Sequence, residues 1–249
     1  MGIPKGLRAV VFDFDGVIVD SEPLHFSLFR RLLGEEGIVL TREQYDAIYL
    51  GMDDRECFTE ALTRHGKTAA LPRVPELIER KSALLMAEIA ERPPVLPGAV
   101  GFVRALAKSV PLAICSGALR REIEAMLKQA GILSCFVGII SAEDVSHGKP
   151  NPEGFTKALA LLNRSQNPAP PIAPASCLAI EDSLAGIEAA RAAGMRCLAV
   201  ANSYPAEALK RAGAEAVVAA LEDNPMDAVA RLFRQARENV SEQHPGECH

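Results

Sequence analysis

AVVFDFDGVIVDSE, residues 9–22, opens as a β-branched and aromatic run from Ala9 to Phe14 and breaks into acidic residues and a glycine. That profile predicts a buried strand ending in a turn. Comparable runs recur at Val110–Cys115, Val137–Ile140, Cys177–Ile180 and Cys197–Val200. Helical patterns lie between them: Phe102–Ala107, Arg120–Ala130, Phe155–Leu162 and Ser183–Ala193, the last with Ser183 as N-cap and Gly194 as its stop. Strands alternating with helices predict an α/β fold, a Rossmann-like parallel sheet with helices on both faces. Ligands of such sheets sit beyond the carboxyl ends of the strands.

The stretch from Glu22 to Arg92 breaks this rhythm. It carries helical patterns at Leu24–Leu33, Arg42–Leu50, Arg55–His65 and Pro75–Ala90, then Pro93, Pro94 and Pro97. The expectation is an α-helical cap subdomain at 21–92, inserted into a core made of 1–20 and 93–237. Asn163–Ala175 (NRSQNPAPPIAPA) reads as a Pro-rich surface loop, and 238–249 as a flexible tail.

Composition narrows the function classes. Of 249 residues, 49% are hydrophobic and 24% charged, which excludes disorder throughout. No run approaches the roughly 18 apolar residues of a membrane span. A formal charge of −5 without basic clusters lacks the footprint for gripping nucleic acid. The six cysteines form no CxxC pair, so neither a disulfide scaffold nor a zinc knuckle is expected. Lys5 and Arg8 precede an apolar stretch broken by Asp13 and Asp15, unlike a signal peptide, and the expected location is the cytoplasm.

Polar residues cluster just after the strands. The first ends in Asp13 and Asp15, the second in Ser116 and Gly117, the third is followed by Glu143, Asp144 and Lys149, and the fourth by Glu181 and Asp182. A parallel sheet gathers these at one edge. Like charges about 4 Å apart repel by about 4 kcal/mol at an effective dielectric of 20. A hard divalent cation is the natural neutraliser, and Mg²⁺ suits a few carboxylates with waters and phosphate oxygens.

Asp13-Phe14-Asp15-Gly16-Val17-Ile18-Val19-Asp20-Ser21-Glu22 resembles the first motif of the haloacid dehalogenase superfamily, and Ser116, Lys149 and Glu181-Asp182 match its second, third and fourth motifs in order. Four ordered motifs are specific where one DxD is not. The similarity runs from about Arg8 to the low 220s and points to the β-phosphoglucomutase/phosphoglycolate phosphatase-like subfamily with a C1-type helical cap. It implies that Asp13 is the nucleophile and Asp15 the acid and base. It implies that Mg²⁺ binds the Asp13 carboxylate, the Asp15 carbonyl and Asp182, with Glu181 assisting through water. Ser116 and the N–H groups of Gly117 and Ala118 would hold the phosphoryl group, with Lys149 offsetting charge. His25 has the spacing of a residue facing the site. Arg55 is a candidate for gripping the distal part of the substrate, though its loop carries one extra residue. Arg120 stands where some relatives carry Asn for a substrate phosphate.

Structural readings stand beside these. Lys149-Pro150 alone is usually a solvated turn. Asn151 reads as a cap of the next helix. Cys115 has no His partner and reads as core. His65, His147 and the tail histidines receive no role. The implied activity is a Mg²⁺-dependent phosphatase of small phosphorylated metabolites, acting as a monomer without nucleic-acid or membrane partners. A phosphohexomutase is the alternative, and a non-catalytic phosphometabolite sensor the third. A haloalkanoate dehalogenase is disfavoured, because those relatives lack the second acidic residue and the metal.

Overall fold

The computed structural model of the chain describes residues 3–90, 94–166, 170–223 and 225–241. Six parallel strands form one sheet: β1 (Ala9–Phe12), β2 (Leu112–Cys115), β3 (Phe136–Ile140), β4 (Cys177–Glu181), β5 (Arg196–Val200) and β6 (Ala216–Val218), in the order β3-β2-β1-β4-β5-β6. The chain starts mid-sheet, turns outward to β3, then returns to the far side of β1. β1 therefore lies at the point where strand order reverses, and ligands of open α/β sheets bind there.

Period-two alternation sorts the strands' side chains by size. Val10, Phe12, Leu112, Ile114, Leu178, Ile180, Leu198 and Val200 point to one face, into the larger core cluster. There they meet α5 (Ala99–Ala107), α6 (Arg120–Gln129) and α10 (Pro225–Ser241). Phe12 sits edge-on to Phe102 and Phe136, at centroid distances of 6.1 and 5.9 Å. The opposite face carries smaller groups, among them Ala9, Ala113, Cys115, Cys177 and Ala179. That lets α7 (Glu153–Gln166) and α8 (Leu184–Ala192) pack close with Phe155, Ala158, Ala189 and Ala190. α9 (Ala206–Ala212) adds Leu209 against Ile187, Cys197 and Ala199. Cys115, Cys177 and Cys197 are buried free thiols in these packings.

Between β1 and α5 run α1 (Glu22–Glu35), α2 (Arg42–Gln44, continuing as a π-turn over Tyr45–Tyr49), α3 (Asp54–Arg64) and α4 (Val74–Ile89). They bury their own cluster, in which Phe29, Leu32, Leu33, Tyr49, Phe58, Leu62 and Leu77 are all at most 2% exposed. Leu28, Leu85 and Ile89 belong instead to the sheet-side cluster. Among the described residues no helix is long and apolar enough to cross a membrane.

Several readings need correction. β1 ends at Phe12, two residues short of the predicted strand, because Phe14 carbonyl oxygen instead takes the N–H groups of Ile18 and Val19 in a turn. The predicted helix over Arg42–Leu50 is α-helical only for its first turn before widening. α7 runs to Gln166, so the loop read from Asn163 starts late; residues 167–169 lie outside the described range. Asn163 anchors the far end of that loop by exchanging two hydrogen bonds with the Ile172 backbone. β6 and α9 escape the sequence reading, since AVV is short and α9 has one turn of pattern. α10 continues to Ser241, into the stretch read as tail, because no Pro or Gly interrupts 238–241; residues 242–249 and the boundary at 92/93 lie outside the described range.

Phe12→Ala should cost about 3–5 kcal/mol of stability, as a buried aromatic loses its transfer energy and leaves a cavity. Urea unfolding of the two proteins measures this, and a loss under about 1 kcal/mol would place the core's centre elsewhere.

Candidate functional site

The sheet's carboxyl edge builds the site. Asp13 follows β1 and keeps the ladder through its N–H to Ile180 carbonyl, 2.9 Å. Its side chain is drawn to Lys149, with Nζ 2.8 Å from Asp13 Oδ1. Lys149 also donates to Glu181 at the end of β4. The Lys149-Pro150 peptide is cis. Asn151 Oδ1 accepts from Glu153 N at the start of α7, as its capping reading predicted.

Three carboxylates, Asp13, Glu181 and Asp182, offer oxygens all within 4.8 Å of one another, and all three residues are buried. Two glycines make this possible. A Cβ at Gly16 would lie 1.8 Å from Asp182 Oδ2, and one at Gly186 would lie 2.0 Å from Glu181 Oε1. Gly16 also has φ of 74°, a left-handed value that glycine adopts without strain. Glu181 is saturated, since its second oxygen accepts from Asp182 N, Ser183 N and Ser183 Oγ at the start of α8. Asp182 takes a hydrogen bond from Ser203, and Asn202 Nδ2 donates to Gly16 carbonyl at 2.7 Å.

One ammonium cannot balance three buried carboxylates. Burial and the Glu181 charge push the Asp13 carboxyl up to about 7, against the pull of Lys149. Burial, Asp13 and Glu181 raise Asp182 well above the carboxylate range. Burial would lower Lys149, but Asp13 and Glu181 outweigh it and hold the ammonium charged. Without a further cation, Asp13 and Asp182 hold their protons to higher pH than ordinary carboxyls do. Asp13 and Asp182, whose oxygens are not taken up as Glu181's are, form a hard-oxygen donor pair that fits Mg²⁺.

Asp15 lies one turn on, its carboxylate accepting from Ser21 and 3.6 Å from His25 Nε2. Burial would raise Asp15, yet the His25 and Ser21 hydrogen bonds and the nearby positive charge hold it below its ordinary value. Burial and Lys81 lower His25, while Asp15 and Asp54 outweigh them and raise it. Behind His25 stands Lys81, fully buried in α4, with Nζ 2.6 Å from His25 Nδ1 and 2.5 Å from Asp54 Oδ1.

Asp13, Asp15, His25, Ser116, Gly117, Ala118, Lys149 and Asp182 line one cavity between the sheet edge and the helices. Glu181 lies behind Lys149. The Ala118 N–H is not free, since it donates to Ser116 Oγ at 3.0 Å. Two candidates stay outside. Arg55 is exposed at the start of α3 and does not line the cavity, because buried Lys81 draws the preceding residue, Asp54, inward as its counter-charge. Arg120 is held on the outer side of β3, donating to Ile139 carbonyl at 2.9 Å and pairing with Asp144. Sequence reasoning missed Ser203 and Tyr204, although they come after β5 as polar residues come after the other strands. It also missed Lys81, whose signal is a charge in register with apolar Leu77 and Leu85 on α4.

A family model described as haloacid dehalogenase-like hydrolase matches residues 7–194. A phosphorylated carbohydrates phosphatase of Thermotoga maritima is 29% identical over 189 residues, 76% of this chain and 82% of that protein. A β-phosphoglucomutase of Bacillus subtilis is 29% identical over 193 residues, 76% and 81% of the two chains. The crystal structure of a β-phosphoglucomutase from Clostridium difficile shares the fold, with a TM-score of 0.76 and 24% identity over 93% of this chain and 99% of that one.

A carboxyl raised from 3.8 to about 7 binds a proton in the folded state that the unfolded chain has released. Apo stability therefore falls as pH rises across that window. A cation displacing the proton recovers more at high pH. The rise in Tm on adding Mg²⁺ should be larger at about pH 8 than at about pH 6, and equal shifts would count against the donor set. Gly16→Ala, which forces the Asp182 carboxylate aside, should abolish the Mg²⁺-dependent shift in the same melts.

Proposed function

As the chain belongs to the haloacid dehalogenase-like hydrolase family, we propose that it is a Mg²⁺-dependent phosphatase of a small phosphorylated metabolite of the sugar-phosphate kind, with the helices of 21–92 acting as a cap over the site. The observation that carries this is the junction of Asp13, Lys149 and the Glu181/Asp182 pair at the sheet end of a cavity that also holds Asp15 and Ser116. The Thermotoga maritima relative, a phosphatase of phosphorylated carbohydrates, supports the substrate class.

In this reading Asp13 Oδ attacks phosphorus, the bond from phosphorus to the leaving oxygen breaks, and Asp15 gives that oxygen its proton. Asp15 rests ionised; the arriving phosphoryl dianion raises its proton affinity, so it takes up a proton from solvent before the transfer and then passes it to the leaving oxygen. Lys149 stays charged and balances the phosphoryl oxygens, while Ser116 and the Gly117 N–H orient them. Water then attacks the aspartyl-phosphate, Asp15 takes its proton, and Asp13 is restored. Asp13 and Asp182 would hold Mg²⁺, which would supply charge neutralisation at the transferring group.

Phosphate release from a panel of phosphomonoesters, measured with and without Mg²⁺, tests the proposal. Asp13→Asn should abolish turnover while its melting curve stays cooperative. Lys149→Ala should lower kcat by about a hundredfold or more, since one charged partner of the transition state is lost. Normal activity of Asp13→Asn would remove the proposed nucleophile. β-Glucose 1-phosphate converted without phosphate release would replace the phosphatase by a mutase.

A further inference from the structure

The cavity's two ends differ in charge. Its sheet end holds Lys149 and the turn beginning at Ser116. Its helical end carries Glu22, Asp53, Asp54 and Glu56, and no arginine is among the described residues that line it. Lys81 behind that wall is committed to Asp54 and His25. The other Asp54 oxygen is buried with no hydrogen-bond partner. Glu22 accepts a hydrogen bond from the neutral Tyr45 hydroxyl and has Arg42 as its nearby positive charge. Asp53 and Glu56 cap each other's backbone N–H groups, and among the described residues neither makes a salt bridge. Both lie beside the turns flanking the phosphate end. A Cβ at Gly148 would lie 3.5 Å from Asp53 Oδ2 and 3.6 Å from Glu56 Oε1, and one at Gly117 would lie 3.6 Å from Asp53 Cβ. Whatever extends from a phosphoryl group held near Lys149 must therefore run past carboxylates.

We infer that the cavity selects phosphomonoesters whose remainder carries hydroxyls or an amine and no second anionic group, with Asp53, Asp54 and Glu56 as the residues that determine this. The inference rests on the phosphatase reading and narrows its substrate class. Carboxylates accept hydrogen bonds from hydroxyls and pair with ammonium groups, whereas a second phosphate or a carboxylate meets like charge. The discrimination is repulsive as well as attractive, the usual way a site rejects a near-isosteric competitor. Burial and the neighbouring Asp53 charge hold the Glu56 carboxyl above its ordinary value, as expected where negative charge is uncompensated.

Sorbitol 6-phosphate and 6-phosphogluconate share a carbon chain and a phosphate and differ at the far end, hydroxyl against carboxylate. Glucosamine 6-phosphate and glucose 6-phosphate add the amine comparison. p-Nitrophenyl phosphate reports the phosphatase chemistry independently, and for a probe that is not turned over, its Ki against p-nitrophenyl phosphate replaces kcat/KM. The neutral-ended compound should be preferred to the carboxylate by about tenfold or more, and the amine should be used at least as well as its hydroxyl counterpart. The preference should shrink by about threefold or more in Glu56→Gln and in Asp53→Asn. Asp53 caps α3, so Glu56→Gln, which keeps side-chain shape, preserves the test if the other variant fails to fold. Equal use of the two six-carbon compounds by the wild type would overturn the inference and leave the phosphatase reading standing. A preference unmoved in folded Glu56→Gln and Asp53→Asn would overturn the assignment to these acids. No phosphate from any compound, p-nitrophenyl phosphate included, would remove the phosphatase reading and this inference with it.

Discussion

Lys149 Nζ stands between Asp13 and Glu181 with Asp182 alongside, one positive charge shared by three buried acids. Much of the molecule serves that arrangement. The acids come from β1 and β4, which lie side by side, and Lys149 comes from the loop after β3. A sheet that did not place β4 beside β1 would separate the acids. Gly16 and Gly186 supply the two spaces into which Asp182 and Glu181 fit. The start of α8 then fixes Glu181 with backbone and hydroxyl donors, so its geometry does not depend on the cation it salt-bridges. The surplus negative charge raises the proton affinity of Asp13 and Asp182, and proton uptake there is coupled to folding.

Fold and site were legible in the sequence to different depths. The strands β1, β2, β4 and β5 announced themselves because both faces are buried, so their residues are apolar almost without interruption. β6, three half-buried residues, left too little pattern. Asp13, Ser116, Lys149 and Asp182 are found by position, since a parallel sheet gathers the residues just beyond its strand ends. Residues contributed by helices had no such rule. Arg55 and Asp54 are neighbours, and which one faces inward is decided by Lys81, 27 residues from Asp54 and buried in another helix. Arg120 begins α6 as predicted, but its side chain finds Asp144 and a β3 carbonyl, partners that only the tertiary arrangement supplies.

The four helices between β1 and α5 have a core of their own, yet they are not loosely hung. Leu28, Leu85 and Ile89 join the sheet-side cluster, and Arg121 of α6 reaches Ser82 Oγ at 2.7 Å and Glu79 on α4. On the other side, the Tyr204 hydroxyl meets Leu50 carbonyl at 3.5 Å, a long contact at the edge of hydrogen bonding. The firmer attachment is thus along α4, and the weaker lies across the cavity mouth near Tyr204.

The unequal faces of the sheet set unequal tolerances for change. Where Val10, Leu112, Ile114, Leu178 and Ile180 point, one branched hydrocarbon can stand in for another with modest repacking. On the reverse side, alanines and thiols leave α7 and α8 almost against the strands, and added methylenes there have nowhere to go. Tolerance to substitution should therefore be one-sided, with branched hydrocarbons interchangeable beneath α5 and α10 and enlargement of Ala9, Ala113, Cys177 or Ala179 resisted beneath α7 and α8.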